Sequence, residues 1–264
     1  MDIFKHISQK NAQIADDKFI IFLLTMSHRA DRTSSMKNML KNIIDENQLP
    51  SNFNIIYGTP FPYNNIIINA FNTTGKGRFT KPNEYDCSRN HYSIIKQAYD
   101  LGYSHVLVME DDICFLNNIN LFIKYIENIP NDYDIIQFGG FTANPAIEKY
   151  LEKDLNNIKT FWVKHKDVGI WNTSMYMLSR KGMEFYLTFM DKLFWVADGP
   201  LYKAPINDKI INTYLSTIPL VIQADKNIVA SDIRDEKVDT IDYNKQNLYE
   251  QYINKENYFK YVKI

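Results

Sequence analysis

The chain has 264 residues, with 30 Lys+Arg against 31 Asp+Glu and a formal net charge of −1. A balanced charge argues against a nucleic-acid-binding protein, which needs a positive excess to bind phosphates. Hydrophobic residues make up 45% and charged residues 23%, which is typical of a globular fold and excludes disorder. Two cysteines exclude a disulfide-rich secreted scaffold.

Apolar runs of strand length alternate with segments of helical periodicity along the chain. The runs predict strands over residues 18–26, 52–57, 104–109, 133–138, 174–178 and 217–223. The periodic segments predict helices over residues 32–44, 83–101, 122–129 and 181–190, the second of them ended by Gly102. This order predicts an α/β fold whose mainly parallel central sheet is flanked by helices on both faces.

The chain shows no targeting signal and no membrane span. Its first residues lack the apolar core of a signal peptide, and no later run reaches the roughly 18–20 apolar residues that a spanning helix needs. We therefore expect a cytoplasmic protein, with a peripheral position at the inner face of a membrane as an alternative. The excess of Ile and Asn is typical of an AT-rich genome, bacterial or viral.

Three consecutive acids follow a predicted buried strand. Glu110, Asp111 and Asp112 come directly after the apolar run 104–109. Ligands of open α/β sheets bind at the carboxyl ends of the strands, so this is where a site is expected. Adjacent carboxylates repel one another, and a divalent cation relieves that repulsion while it holds substrate phosphates. The cluster predicts a Mg²⁺ or Mn²⁺ site for a nucleotide diphosphate, and a solvated acidic loop is the alternative.

Residues 84–115 resemble the central signature of glycosyltransferase family 25. The family includes bacterial lipooligosaccharide galactosyltransferases and collagen galactosyltransferases. The matching residues are Glu84, Cys87, His91, Gly102, Glu110, Asp111 and Asp112. Asn90 stands where the family usually has Ser. A weaker resemblance extends over about residues 18–233, from FLLTMSHRADR through YDIIQFGG to PLVIQADKNIVASDI.

The resemblance implies a GT-A (Rossmann-like) glycosyltransferase fold. We expect a single catalytic domain over residues 1–233, with a donor half at about 18–140, an acceptor half at about 141–233, and a C-terminal extension over 234–264. It also implies an inverting, metal-dependent transfer of a hexose, galactose favoured, from a UDP-sugar to a hydroxyl group. The expected cofactor is Mn²⁺ or Mg²⁺, and the expected acceptor is a glycan or glycolipid such as a lipooligosaccharide or a surface polysaccharide.

The resemblance points to Asp112 as the first metal ligand. GT-A enzymes often add a C-terminal His ligand, but no His follows His165 in this chain. Asp232 is therefore the expected second ligand, with Asp225 as the runner-up and a turn-capping role as the alternative for Asp232.

The remaining candidates are donor contacts and a base. Asp198 is the candidate base for the acceptor hydroxyl or, alternatively, a turn residue before Gly-Pro. Trp195 and Tyr202 beside it are candidates to stack on a sugar or to fill the core. The candidate donor-binding residues are Arg29, Arg32, His91, Glu110 and Asp111; a solvated turn is the alternative for the two arginines, and a buried structural role is the alternative for His91.

Two other functions stay open at the level of sequence. The Asn90 departure and the missing C-terminal His favour a catalytically silent carbohydrate-binding or glycan-assembly protein with the same fold. A metal-dependent phosphatase or nuclease would also use an acidic cluster, but it normally has more His and Asp ligands.

Overall fold

The computed structural model describes residues 19–26, 29, 31–32, 34, 53–58, 82–115, 119–139, 157–166, 169–193, 195–207 and 210–223. Its strands are β1 (Phe19–Met26), β2 (Phe53–Gly58), β3 (His105–Glu110), β4 (Ile113–Phe115), β5 (Ile135–Gln137), β6 (Trp162–Lys164), β7 (Met175–Ser179), β8 (Thr213–Ser216) and β9 (Val221–Gln223). Its helices are α1 (Pro82–Asp100), α2 (Ile119–Glu127), α3 (Arg180–Leu193) and α4 (Gly199–Lys203), with a 3₁₀ turn at Ala204–Asn207.

Seven of these strands form one central sheet in the order β2-β1-β3-β7-β5-β8-β6, and β4 pairs with β9 in a second, two-stranded sheet. The pairs β1–β2, β1–β3 and β5–β8 are parallel. The pairs β3–β7, β5–β7 and β6–β8 are antiparallel. The predicted α/β class is confirmed, and among the described strands the sheet is mixed because β7 runs opposite to both of its neighbours and β6 runs opposite to β8.

Side chains alternate between two cores, one on each face of the sheet. One core packs beneath α2 and contains Ile21, Leu23, Leu107, Met109, Phe122 and Ile136. The other packs beneath α1 and α3 and contains Ile20, Phe22, Val106, Val108, Ile94, Ile95, Ala98 and Met183. Burial of β1 and β3 on both faces explains why their sequences are continuous apolar runs.

Helix α1 ends as its sequence predicts. Gly102 adopts a left-handed backbone conformation, with φ of 76°. Its N–H bonds the carbonyl of Tyr99 at 3.0 Å and the N–H of Tyr103 bonds that of Ala98 at 3.0 Å, which is the Schellman pattern. This cap turns the chain directly into β3, whose far end carries the acidic cluster.

Two predicted elements need comment. The strand predicted over 217–223 is wrong in extent: β8 ends at Ser216, the chain bends through 217–220, and β9 begins only at Val221. Pro219 lies in this bend and lacks the N–H that a continuous ladder needs, although Ile218 and Leu220 are buried. The helix predicted over 32–44 lies mostly outside the described residues.

No helix in the described part of the chain is both long enough and apolar enough to cross a bilayer.

Candidate active site

The acidic cluster lies where two parallel strands end side by side. Leu24 of β1 is in register with Glu110 of β3, so the residue after each of them meets at the same edge of the sheet. Thr25 is the residue after Leu24, and its Oγ1 donates a hydrogen bond of 2.6 Å to Asp111 Oδ2. The register of β1 and β3 therefore places Asp111 within hydrogen-bond distance of the neighbouring strand.

Arg32 supplies the positive charge of the cluster. It follows β1 in a helical turn, and its guanidinium donates to Asp111 Oδ1 at 3.1 Å. The same nitrogen lies 3.7 Å from Asp112 Oδ2, beyond hydrogen-bond distance but close enough for an ion pair. Burial raises the pKa of Asp111 despite the hydrogen bond from Thr25 and the opposing charge of Arg32, and the nearby charge of Glu110 adds to the increase.

Glu110 is held by two donors on one oxygen. His91 Nε2 lies 3.1 Å from Oε1, and Thr173 Oγ1 donates to the same atom at 2.7 Å. Burial raises the pKa of Glu110, but His91, Thr173 and the charge of Arg32 outweigh it, so the pKa of this carboxyl is lowered. Glu110 Oε2 makes no hydrogen bond within the described residues, and the side chain keeps 18% of its exposure.

His91 is fully buried and links Glu110 to Tyr176. An ionised carboxylate only accepts, so His91 Nε2 carries the proton that it shares with Glu110. In the neutral imidazole Nδ1 is then the acceptor for the Tyr176 hydroxyl, 2.8 Å away. With no exposed surface, His91 is placed to fix the orientation of Glu110.

The candidate base and the acidic cluster both affect the Cys87 thiol. Burial raises the pKa of the Cys87 thiol, and the charges of Glu110, Asp198, Asp112 and Glu84 raise it further. The charge of Asp198, the residue before α4, therefore acts on the same thiol as the charges of Glu110 and Asp112.

Asp198 occupies the N-cap position of α4, and its side chain makes no capping hydrogen bond. Its backbone carbonyl accepts the N–H of Tyr202 at 2.8 Å. The ring of Tyr202 stacks on Trp171 with centroids 3.9 Å apart and an interplanar angle of 14°. Trp171 lies two residues before Thr173, so this aromatic pair joins the segment that holds Glu110 to the helix that begins after Asp198.

Trp195 has different surroundings from Tyr202. Its ring stacks on Phe189 at 6.1 Å, and it also lines the space left by Gly199, which has no side chain. Both rings are half-buried, and Lys203 Nζ lies 5.9 Å from the Trp195 ring centroid and 5.4 Å from the Tyr202 ring centroid. Stacking on a sugar therefore stays a prediction for both residues.

Asn90 fills space at the ends of β1 and β2. Its Nδ2 lies 3.6 Å from Met26 Sδ, and a methyl group placed on Gly58 would overlap Asn90. The bulkier Asn thus occupies room that Gly58 provides.

Two further candidates are Arg29, which binds a neighbouring carboxylate, and Asp232. Arg29 binds Asp31 through two hydrogen bonds of 3.0 and 2.9 Å, which lower the pKa of Asp31 to about 2. Asp232 and its runner-up Asp225 lie outside the described residues. All the roles given to the site candidates stay predictions: those of Arg29, Arg32, His91, Glu110, Asp111, Asp112, Asp198 and Asp232.

Sequence reasoning missed Thr25, Thr173, Tyr176 and Trp171. Thr25 follows from applying the strand-end rule to β1 as well as β3. Thr173 lies two residues before β7, and it reaches the cluster because β7 is antiparallel to β3, with Met109 opposite Met175.

The donor set fits a hard divalent cation. Both oxygens of Asp111 already accept hydrogen bonds, from Thr25 and Arg32. The carboxylate of Asp112, which lies 3.7 Å from Arg32, and the second oxygen of Glu110 are the other carboxylate oxygens of the cluster. One or two carboxylates completed by substrate phosphates and water are what Mg²⁺ and Mn²⁺ prefer.

The fold and the site together define an α/β protein with a carboxylate site at the carboxyl edge of its central sheet. The family model described as glycosyltransferase family 25 (LPS biosynthesis protein) matches residues 18–199, more than two thirds of the chain. This chain belongs to glycosyltransferase family 25, as the signature in residues 84–115 predicts. A sugar donor and a glycan acceptor are therefore its partners.

The chain was also compared with curated proteins and with solved structures. No curated protein matches the chain. The solved structure of a glycosyltransferase involved in the glycosylation of the major capsid of PBCV-1 is 11% identical, covering 67% of this chain and 68% of that one, with a TM-score of 0.29. At that TM-score the likeness carries no argument.

Proposed function

We propose that this protein is an inverting, metal-dependent hexosyltransferase. Its donor is a UDP-sugar, UDP-galactose favoured, and its acceptor is a hydroxyl of a glycan or glycolipid such as a lipooligosaccharide or a surface polysaccharide. The observation that carries the proposal is the arrangement of Glu110, Asp112 and Arg32 at the end of β3 in a chain of glycosyltransferase family 25.

Asp112 would hold Mn²⁺ or Mg²⁺, with Glu110 as a ligand through its second oxygen or through water, and with Asp232 as the expected further ligand. The bound metal would neutralise charge on the leaving diphosphate. Arg32, buried beside both aspartates, adds a fixed guanidinium whose planar donors suit a phosphate group.

Asp198 is the proposed base. It accepts the proton of the acceptor hydroxyl as that oxygen forms its bond to the anomeric carbon. The bond from the anomeric carbon to the diphosphate oxygen breaks on the opposite face, and UDP leaves with the bonding electrons. Attack from the face opposite the leaving group inverts the anomeric centre. The stacked rings of Trp171 and Tyr202 adjoin the helix that follows Asp198, and they offer an apolar surface for a sugar ring.

The test is donor turnover by the full chain. Purified protein is incubated with Mn²⁺ and, in separate reactions, UDP-galactose, UDP-glucose and UDP-N-acetylglucosamine, and the released UDP is measured. We expect slow hydrolysis of one donor, lost on removal of the metal and reduced at least 100-fold in Asp112→Asn. Asp100→Asn is the matched control, because Asp100 is an exposed carboxylate paired with Lys96 on α1.

Full activity of Asp112→Asn would refute the metal assignment. Thermal stabilisation by UDP with Mn²⁺ but no turnover of any donor would instead support the silent carbohydrate-binding alternative.

A further inference from the structure

Three side chains of different chemistry converge behind the acidic cluster. Cys87 Sγ, a ring nitrogen of His91 and a carboxylate oxygen of Glu110 all lie within 4.8 Å of one another. Cys87 and His91 are four residues apart on α1, so they project from the same face of the helix toward the end of β3. His91 is buried, and the other two are half-buried and open the cluster to solvent.

We propose that Cys87, His91 and Glu110 form a binding site for a borderline-soft divalent cation such as Zn²⁺, separate from the hard-cation site at Asp112. A thiolate, an imidazole and a carboxylate are all ligands that Zn²⁺ accepts, and sulfur disfavours Mg²⁺ and Mn²⁺. The two sites share Glu110, so a soft cation would withdraw this carboxylate from the donor site.

The distance between His91 and Glu110 suits coordination with little movement. His91 Nε2 and Glu110 Oε1 are 3.1 Å apart. Two nitrogen and oxygen ligands of one tetrahedral Zn²⁺, each about 2.1 Å from the ion, are about 3.4 Å apart. A metal therefore replaces the hydrogen that the two atoms share while the side chains separate by a few tenths of an ångström.

Tyr176 is already positioned as the outer partner of the histidine. Metal-bound histidines donate their other ring N–H to a nearby acceptor. The Tyr176 oxygen lies 2.8 Å from His91 Nδ1, and both residues are fully buried. On binding, the imidazole proton moves from Nε2 to Nδ1, where Tyr176 accepts it, and the Cys87 thiol loses its proton to solvent. Water completes the four-coordinate shell.

Cobalt absorption tests this site without any glycosyl transfer. The full chain, with its thiols reduced, is titrated with Co²⁺ in an excess of Mg²⁺ that occupies hard oxygen sites. We expect a thiolate-to-cobalt charge-transfer band that saturates at one Co²⁺ per chain and is displaced by Zn²⁺. The band should persist in Cys114→Ser, which removes the other cysteine of the chain, and disappear in Cys87→Ser.

Glu110→Gln should weaken Co²⁺ binding by at least 10-fold while keeping the charge-transfer band, since the thiolate remains. Absence of the band in the unaltered chain, or its persistence in Cys87→Ser, would overturn the proposal. If Cys87→Ser does not fold, X-ray absorption of the Zn²⁺-loaded unaltered chain decides: one sulfur ligand supports the site, and a shell of nitrogen and oxygen alone refutes it. Because these readouts do not use UDP-sugars, failure here and failure of the proposed hexosyl transfer are distinguishable.

Discussion

Acidification should destabilise this fold through a histidine far from the acidic cluster. His105 begins β3, is 5% exposed, and packs its ring against Tyr133 at 5.4 Å. Burial lowers the pKa of His105 from 6.5 to about 4. The folded state therefore keeps this imidazole neutral at pH values where the unfolded chain has protonated it.

The sign and size follow from proton linkage. The unfolded state binds more protons between pH 6.5 and pH 4, so the stability contributed by neutral His105 is complete above pH 6.5 and is lost as the pH falls. With the pKa of His105 at about 4 when folded and 6.5 when unfolded, the loss between pH 7.5 and pH 5 is about 2 kcal/mol.

Urea unfolding followed by circular dichroism at pH 7.5 and pH 5 measures this loss. His105→Gln is the matched variant, because it keeps a polar side chain but cannot gain a proton in this range. Between pH 7.5 and pH 5, the free energy of unfolding should fall by about 2 kcal/mol more in the unaltered protein than in the variant. Equal losses in the two proteins, or an NMR titration of His105 near its ordinary pKa, would refute the reasoning.

Three further changes test how the site is held. Arg32→Met leaves two buried carboxylates without their guanidinium and should cost about 3 kcal/mol of unfolding free energy; a cost below about 0.5 kcal/mol would show that the ion pairs contribute little. Thr173→Val removes one of the two hydrogen bonds to Glu110 and should cost about 1.5 kcal/mol in urea unfolding, with Thr173→Ser close to the unaltered protein. Gly169→Ala places a methyl group on the backbone carbonyl of Tyr202 and should cost about 1–3 kcal/mol; unchanged unfolding and UDP release would show that the helix after Asp198 tolerates displacement.

The elements β1, α1 and β3 were largely predictable because they carry strong local signals. A continuous apolar run defines β1 and β3, and helical spacing followed by Gly102 defines α1. The family signature then places His91 in the middle of α1 and Glu110 at the end of β3, where they form a hydrogen bond of 3.1 Å. Local pattern and motif agree here, so the acidic cluster could be located before the structure was known.

The direction of β7 could not be predicted from the sequence. The site residue that depends on this direction, Thr173, was therefore missed. An apolar run has the same periodicity whichever way it crosses a sheet. Only pairing with β3 shows that β7 is antiparallel, which brings the two residues before it, Thr173 and Ser174, beside Glu110. The short strands β6 and β8, of three and four residues, carry too few side chains for a period to be read.

The three consecutive acids differ in what they can do, although the sequence presents them as equals. Asp111 has a structural role, because Thr25 and Arg32 donate hydrogen bonds to its two oxygens. Burial raises the pKa of its carboxyl group. Glu110 has a lowered pKa and is anchored through one oxygen only. Neighbouring carboxyl groups whose environments separate their pKa values are typical of sites that assign them different tasks. A substitution series should therefore separate stability from donor turnover: Asp111→Asn is expected to act mainly on unfolding, and Asp112→Asn mainly on metal-dependent release of UDP.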